Sequence, residues 1–319
     1  MGVYSTSRLC GPALLALLAW STLQGQVATV QATFRASAQL VLVPVTVTDH
    51  NGKTIEGLRA EDFDVLDDQA SQKIISFARE DVPCSIGLVL DVSGSMRNVL
   101  GSAKDVVRTF LKSSNPDDEF RLMTVSTQPE ETGFTTDTEA LEASVASARP
   151  GGLTALIDTV YLGLNRMRKA RHPQRALLIL SDGMDNHSQY SKHELMRVAL
   201  EADVQVYTII VNGLVGGSSA NGVPFRPSMV AKPGDRAAEN QGPAMLEELS
   251  EKTGGLHFRV RNDSEAIEAA AKAGQALRNQ YVIGYQPPDS RTSGKWHRVR
   301  VKTNVPKLTV YARNGYYAH

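Results

Sequence analysis

Two kinds of hydrophobic pattern divide this chain. Within residues 38–81, apolar side chains such as Val41, Val43 and Val45 occupy every second position, which is typical of strands with one buried face. From Cys84 onward, continuous apolar runs such as "CSIGLVLD" alternate with segments of helical spacing. Continuous runs are typical of strands that are covered on both faces. The chain therefore predicts a β segment followed by a larger α/β region.

The alternation of buried strands and amphipathic helices continues to about residue 279. It predicts an α/β fold of the Rossmann-like, doubly wound type, with a mainly parallel sheet over residues 84–279. Residues 280–318 return to short strands. Because an isolated hairpin is marginally stable in water, we expect residues 280–318 to pack with residues 38–81. The two segments would form a β-sandwich-like unit that flanks the α/β domain.

One segment interrupts the alternation. Residues 212–242 are rich in Gly, Ser and Pro, which predicts a long surface loop. Loops of this length often border binding sites, and a tolerated insertion is an equally good interpretation.

The first 32 residues predict a secretory signal peptide. Arg8 supplies a positive charge, and the apolar run from Gly11 to Trp20 is shorter than the roughly 20 residues that span a bilayer. Small residues follow the run, and an uncleaved anchor is the alternative interpretation. A cleaved signal peptide predicts a secreted, periplasmic or cell-envelope protein, with no stable membrane span after cleavage.

The charge and the cysteine content of the chain argue against a nucleic-acid partner and against a disulfide-stabilised fold. The chain has 34 basic and 34 acidic side chains, so no basic surplus points to nucleic acid. Removal of the signal peptide would leave Cys84 as the one cysteine, which excludes an intramolecular disulfide scaffold.

Oxygen-bearing side chains stand where three predicted segments meet. Asp91, Ser93 and Ser95 follow a buried strand, Thr154 follows two glycines and a leucine, and Asp182 follows the apolar run "LLILS". Ligands of an open α/β sheet bind at the carboxyl ends of its strands, so we expect these side chains to converge. A set with no His or Cys favours Mg²⁺ or Mn²⁺ over zinc.

In this order, these residues resemble the metal-ion-dependent adhesion site of von Willebrand factor A (VWA) domains. The motif of that family is Asp-x-Ser-x-Ser, then a distant Thr after a Gly-rich turn, then an Asp at a strand end. The resemblance covers about residues 84–279, and it departs at Leu153, which separates the glycines from Thr154. It implies one Mg²⁺-class ion that captures an acidic side chain of a partner protein. The flanking segments are similar to bacterial secreted VWA-related proteins, which implies an envelope or extracellular location.

Three functions remain open from the sequence. The first is a metal-dependent protein-binding module. The second is a structural envelope scaffold that uses the β unit, with the metal site only stabilising the fold. The third is a metal-dependent phosphatase with Asp91 as nucleophile, but Ser93 stands where a second Asp would serve as general acid. We therefore expect a protein that is not an enzyme.

Two further aspartates lie near the predicted site residues in sequence. Asp158 is interpreted as a support of the Thr154 loop or as an ordinary surface acid. Asp185 is interpreted as an ordinary polar residue of a loop.

Overall fold

The computed structural model describes most of the chain beyond its first 39 residues. The described residues are 40–79, 81–98, 100–211, 235–287 and 294–318. The predicted signal peptide and most of the predicted loop over residues 212–242 lie outside them.

The described residues form strands and α-helices that follow one another along the chain. The strands are β1 (Val41–Thr48), β2 (Phe63–Asp67), β3 (Ala70–Gln72), β4 (Ile74–Arg79), β5 (Cys84–Asp91), β6 (Glu119–Val125), β7 (Gln174–Ser181), β8 (Gln205–Val211), β9 (His257–Val260), β10 (Tyr281–Tyr285), β11 (Trp296–Thr303), β12 (Thr309–Ala312) and β13 (Gly315–Tyr317). The helices are α1 (Leu100–Leu111), α2 (Thr138–Ser147), α3 (Leu156–Met167), α4 (Lys192–Ala202), α5 (Asp235–Thr253) and α6 (Asp263–Arg278).

A five-stranded parallel sheet is the centre of the α/β region. Its strand order is β6-β5-β7-β8-β9, and Leu88 of β5 stands opposite Leu122 of β6 and Leu178 of β7. Helices α1, α2 and α6 cover one face, and α3, α4 and α5 cover the other. All eight residues of β5 are buried, which explains its continuous apolar run. The predicted doubly wound, mainly parallel fold is confirmed.

The strand order also locates a crevice. Counted from β5, the five parallel strands follow the order 2-1-3-4-5, in which the winding reverses between the first and third strands. These strands are β5 and β7, and their connections leave in opposite directions. A crevice therefore opens at the carboxyl ends of β5 and β7.

The remaining strands form two antiparallel four-stranded sheets, which together are called the β sandwich. Their orders are β12-β1-β10-β4 and β13-β11-β2-β3. Alternate residues of β1, such as Val43 and Val45, point into a shared core with Tyr281 of β10 and Val301 of β11. Strands that precede the α/β region in sequence thus pair with strands that follow it, β1 with β10 and β2 with β11.

A buried amide network joins the β sheets to the parallel sheet. Gln280, just before β10, donates from Nε2 to Oε1 of Gln205 at 2.8 Å and to the hydroxyl of Tyr207 at 2.9 Å. Its own Oε1 accepts a hydrogen bond of 2.9 Å from Nε2 of Gln174. These polar groups satisfy one another, so a polar cluster is tolerated in a buried junction.

The prediction of a loop over residues 212–242 is wrong at its C-terminal end. Helix α5 begins at Asp235 and includes Pro243. Met245, Leu246 and Leu249 pack in the core on one face of the parallel sheet, which anchors the C-terminal part of α5. The stretch "RAAENQ" contains residues that favour a helix, and these outweigh the flanking glycines and proline.

Among the described residues, none of the helices combines the length and the apolar composition that crossing a bilayer requires.

Replacing Gln280 with Ala tests the amide network. The change leaves the partner groups on Gln174, Gln205 and Tyr207 buried with unmet hydrogen-bonding capacity, so the free energy of unfolding should fall by about 3 kcal/mol. Chemical denaturation measures this loss. The control is Gln275→Ala on the exposed side of α6, which should change the free energy of unfolding by less than about 0.5 kcal/mol. Equal effects of the two substitutions would contradict the role given to the network.

Candidate metal centre

Asp91 is the last residue of β5 and is buried at the crevice between β5 and β7. Its Oδ1 accepts a hydrogen bond of 2.9 Å from the backbone N–H of Ser93. Its Oδ2 accepts one of 2.6 Å from Oγ of Ser181, the last residue of β7. Both carboxylate oxygens are therefore oriented by donors from the two strand ends.

The two serines after Asp91 lie side by side. Ser93 is buried and Ser95 is exposed, and their Oγ atoms are 3.0 Å apart. A short 3₁₀-helix over Gly94–Asn98 begins between them. The turn thus places two hydroxyls together next to the carboxylate, with one of them open to solvent.

The loop that carries Thr154 is held against this turn by backbone hydrogen bonds. The N–H of Gly94 donates to the carbonyl oxygen of Gly152 at 3.3 Å, and the N–H of Gly151 donates to that of Val92 at 2.8 Å. Thr154 is buried just beyond these contacts. The loop therefore brings a buried hydroxyl-bearing residue to the end of the crevice that holds Asp91, which is called the Asp91 corner below.

Gly152 is required for this approach. Its φ is +77°, and a Cβ at this position would lie 2.6 Å from Oγ1 of Thr127. The same Oγ1 accepts a 2.7 Å hydrogen bond from the N–H of Leu153. Leu153, the departure from the family motif, extends into solvent with 48% of its surface exposed.

Asp182 follows β7 and is half-buried. Its Oδ1 accepts a 2.9 Å hydrogen bond from the N–H of Met184. The next residue, Gly183, has a φ of +82°, and a Cβ there would lie 2.8 Å from the backbone nitrogen of Pro243 in α5. The packing of α5 against this turn therefore requires glycine at position 183.

Asp158 and Asp185 tie the Thr154 loop to the loop that follows β7. Oδ1 of Asp158 accepts backbone hydrogen bonds of 2.9 Å from Gln189 and Tyr190. Oδ2 of Asp185 accepts from the backbone N–H of Ile157 at 2.8 Å. Asp185, which the sequence predicts to be an ordinary polar loop residue, thus contacts the start of α3, and no local pattern indicates this contact.

Two further contacts complete this connection. Oδ2 of Asp185 also accepts from Oγ of Ser188 at 2.5 Å. The N–H of Thr154 donates to Oδ1 of Asn186 at 2.9 Å, and its carbonyl oxygen accepts from the N–H groups of Asn186 and His187 at 3.0 Å. Thr154 is thus held through its own backbone by the loop that carries Asp182.

Burial raises the pKa of Asp91 to about 6, and the nearby Asp182 carboxylate also acts to raise it. The hydrogen bonds from Ser181 and Ser93 oppose this rise but do not cancel it. Among the residues that the structure describes, neither Asp91 nor Asp182 forms an ion pair with a cationic side chain. Two neighbouring carboxylates, one of them buried, therefore lack a protein counter-charge.

The donor chemistry of this corner fits a hard divalent cation. The five predicted residues offer two carboxylates and three hydroxyls, and all of these ligand atoms are oxygens. Mg²⁺ prefers oxygen ligands and usually retains several water molecules. A bound cation would also supply the positive charge that Asp91 and Asp182 lack.

A second acidic group lies in the β sandwich. Ligand atoms of Asp67, Asp68 and His297 lie within 4.8 Å of one another. Oδ2 of Asp67 accepts a 2.5 Å hydrogen bond from the Tyr285 hydroxyl, and Nδ1 of His297 lies 2.7 Å from Oδ2 of Asp68. These contacts account for the group as a hydrogen-bonded network between β2 and β11.

Comparison with known proteins identifies the region around the Asp91 corner. Residues 86–184, which contain most of β5, all of β7 and all five predicted site residues, match the von Willebrand factor type A domain family. This match places a VWA domain at residues 86–184. A curated protein of Borreliella burgdorferi, described as uncharacterized, is 26% identical over 188 residues, 56% of this chain and 54% of that protein. The chain thus spans about half the length of this relative.

Solved structures are also similar to this chain. A von Willebrand factor type A protein from Catenulispora acidiphila has a TM-score of 0.49 and 12% identity, covering 89% of this chain and 75% of that one. The conserved hypothetical protein BatB from Bacteroides thetaiotaomicron has a TM-score of 0.44 and 16% identity, covering 61% of this chain and 98% of that one.

The raised pKa of Asp91 predicts a pH-dependent stability of the metal-free VWA domain. Folded Asp91 holds its proton up to about pH 6, whereas the unfolded group ionises near its ordinary value of 3.8. The free energy of unfolding relative to Asp91→Asn should therefore be greatest below about pH 3.8 and fall by about 3 kcal/mol as the pH rises through about 6. Denaturant titration in EDTA measures the difference.

The control for this experiment is Asp105→Asn, which changes an exposed carboxylate on α1. The free energy of unfolding of this variant should stay within about 0.5 kcal/mol of that of the native protein over the same pH range. A pH-independent difference for Asp91→Asn would show that burial does not penalise the charged carboxylate.

Asp185→Asn tests the connection between the two loops. The backbone N–H of Ile157 and the hydroxyl of Ser188 lose a charged acceptor, so the free energy of unfolding should fall by about 1–3 kcal/mol. Chemical denaturation measures the loss, with Asp117→Asn, an exposed loop carboxylate, as the control. An effect no larger than that of the control would mean that Asp185 does not support the Thr154 loop.

Proposed function

We propose that the VWA domain of this chain is a metal-dependent protein-binding module. In this proposal, Asp91, Ser93, Ser95, Thr154 and Asp182 surround one Mg²⁺ or Mn²⁺ ion, which captures a carboxylate of a partner protein. One observation carries the proposal: the Asp91 and Asp182 carboxylates are neighbours, and neither forms an ion pair with a described cationic side chain.

The charge of the donor set favours an acidic partner. Only two of the five residues are carboxylates, and the hydroxyls of the other three add no negative charge. A cation held mostly by neutral oxygens attracts another anionic oxygen strongly, and Mg²⁺ readily keeps positions for outside ligands. Ser95 is exposed and Asp182 is half-buried, so a partner side chain can approach this side of the corner.

The hydrogen bonds of the corner favour binding over catalysis. Both oxygens of Asp91 accept hydrogen bonds, from the backbone of Ser93 and from Ser181, which makes Asp91 a poor nucleophile. Among the described residues, no His or Lys hydrogen-bonds to Ser93 or Ser95, so neither serine has a histidine or lysine base to activate it. The phosphatase interpretation therefore has no supporting contact, and we propose a protein that is not an enzyme.

The predicted signal peptide supports a place for this function. A chain cleaved near residue 32 would meet its partner in the cell envelope or outside the cell. We propose that the VWA domain carries the metal site there and that the β sandwich is its rigid support.

The first test is a thermal melt of the protein in EDTA and with added Mg²⁺ or Mn²⁺. A cation that binds only the folded state should stabilise it by about 2.7 kcal/mol at a hundredfold excess over its dissociation constant. The shift should vanish in Asp91→Asn and persist in Asp105→Asn. A native protein whose melting temperature ignores both cations would contradict the proposal.

Capture of a partner from an envelope extract separates binding from a purely structural role. Capture by the native protein should be lost in EDTA and in Ser95→Ala, because Ser95 is exposed and its loss should leave the fold intact. If the cation stabilises the protein while capture survives EDTA, the β unit is the working part and the structural-scaffold interpretation replaces this one.

A further inference from the structure

Two adjoining cavities lie between the β sandwich and the α/β region, at the amino ends of the parallel strands. One has a volume of about 370 Å³ and the other about 470 Å³. Leu200, Lys252 and Arg313 line both of them. Because Asp91 and Asp182 stand at the carboxyl ends of the same strands, these cavities are separate from the proposed metal centre.

The smaller cavity is mainly apolar. The outward-facing residues of the first β sheet, Leu42, Pro44 and Val282, form one wall, and Leu200 and Val204 line the α/β side. Leu42 keeps 48% of its surface exposed, although its neighbours in β1 are core valines. A volume of 300–1,000 Å³ with an apolar lining is typical of pockets that bind small organic molecules.

The larger cavity is cationic. Lys252, Arg298, Arg300 and Arg313 line it, and the described part of its lining includes no acidic residue. Val299, which packs in the sandwich core, lines the same cavity, and Arg298 and Arg300 alternate with it along β11 and are exposed.

The cations differ in how far they are neutralised. Lys252 pairs with Glu248 at 2.9 Å, and Arg313 pairs with Asp203. Within the described part of the chain, Arg298 and Arg300 form no ion pair.

Arg313 lies where the two cavities meet. Its guanidinium pairs with Asp203 and donates to the carbonyl oxygen of Leu42 at 2.7 Å. With Lys252 it lines both cavities, so the apolar cavity adjoins the cationic one at this arginine.

We propose that the two cavities together bind a single-chain amphiphilic anion, such as a fatty acid. The apolar chain would occupy the cavity against Leu42 and Val282, and the carboxylate would lie in the cationic cavity near Arg298 and Arg300. An apolar pocket that adjoins a cavity lined by four cations, two of which have no ion pair among the described residues, complements a molecule with an apolar body and one anionic end.

The test is calorimetric titration of the intact protein with dodecanoate, below its micelle concentration. The buffer contains EDTA, so the result does not depend on the proposed metal centre. One dodecanoate should bind per chain. Dodecanol lacks the charge, so its affinity should be lower by about tenfold or more. Arg298→Gln combined with Arg300→Gln should weaken dodecanoate binding by about tenfold or more.

The matched control is Lys302→Gln, which removes a third exposed cation from β11 that does not line either cavity. Its affinity for dodecanoate should equal that of the native protein. Leu42→Gln should weaken dodecanoate and dodecanol alike, because it changes the wall that contacts the chain. Unchanged melting temperatures would show that the variants are folded.

Three results would overturn the proposal. The first is an absence of dodecanoate binding to the native protein. The second is equal affinity in the double arginine variant and in Lys302→Gln. The third is sedimentation with phosphatidylglycerol vesicles without any binding of free dodecanoate, since this would indicate attraction to a charged membrane surface instead of a cavity.

Discussion

The hydrogen bond from Ser181 to Asp91 is the contact on which the functional end of this protein depends. It connects the ends of β5 and β7, the two strands between which the winding of the sheet reverses. A carboxylate in a buried crevice is costly unless donors surround it, and Ser181 and the backbone of Ser93 supply two. The remaining cost appears as the raised pKa of Asp91, and a divalent ion would remove it.

The loops around Asp91 are held in place by contacts within the protein. Gly152 and Gly183 allow backbones to approach more closely than a Cβ would permit. The carboxylates of Asp158 and Asp185 accept backbone N–H groups across the two loops. Such connections would lower the entropy cost of binding a cation, because they fix the backbone that carries the candidate ligand residues. The loops therefore act as one rigid frame around the crevice.

The β sandwich gives the opposite end of the α/β region a different character. Its strands come from both sides of that region in sequence, and the Gln280 network joins them to β7 and β8. The sandwich covers the amino ends of the parallel strands incompletely, which leaves the apolar and cationic cavities. Candidate oxygen ligands at one end and an apolar pocket at the other follow from the direction of the parallel strands and the attachment of the sandwich.

Much of this protein could be predicted from local patterns. Continuous apolar runs indicated the parallel strands, because burial on both faces demands them, and the alternating valines of β1 indicated a half-buried strand. The order of Asp91, Ser93, Ser95, Thr154 and Asp182 along the chain indicated which residues could form a metal site. The helical start of α5 was missed, because the Gly- and Pro-rich composition before it outweighed a weak helical signal that packing against the sheet reinforces.

The sequence by itself determined the fold class and the candidate ligand residues, since both are encoded in residue type and short-range spacing. The tertiary structure alone decided which carboxylate is buried, which strand end donates to it, and how Asp185 reaches the first turn of α3. It also decided that Leu42, Arg298 and Arg313 line adjoining cavities. These features depend on contacts between residues far apart in the chain, and the position of each partner is set by packing that no local pattern records.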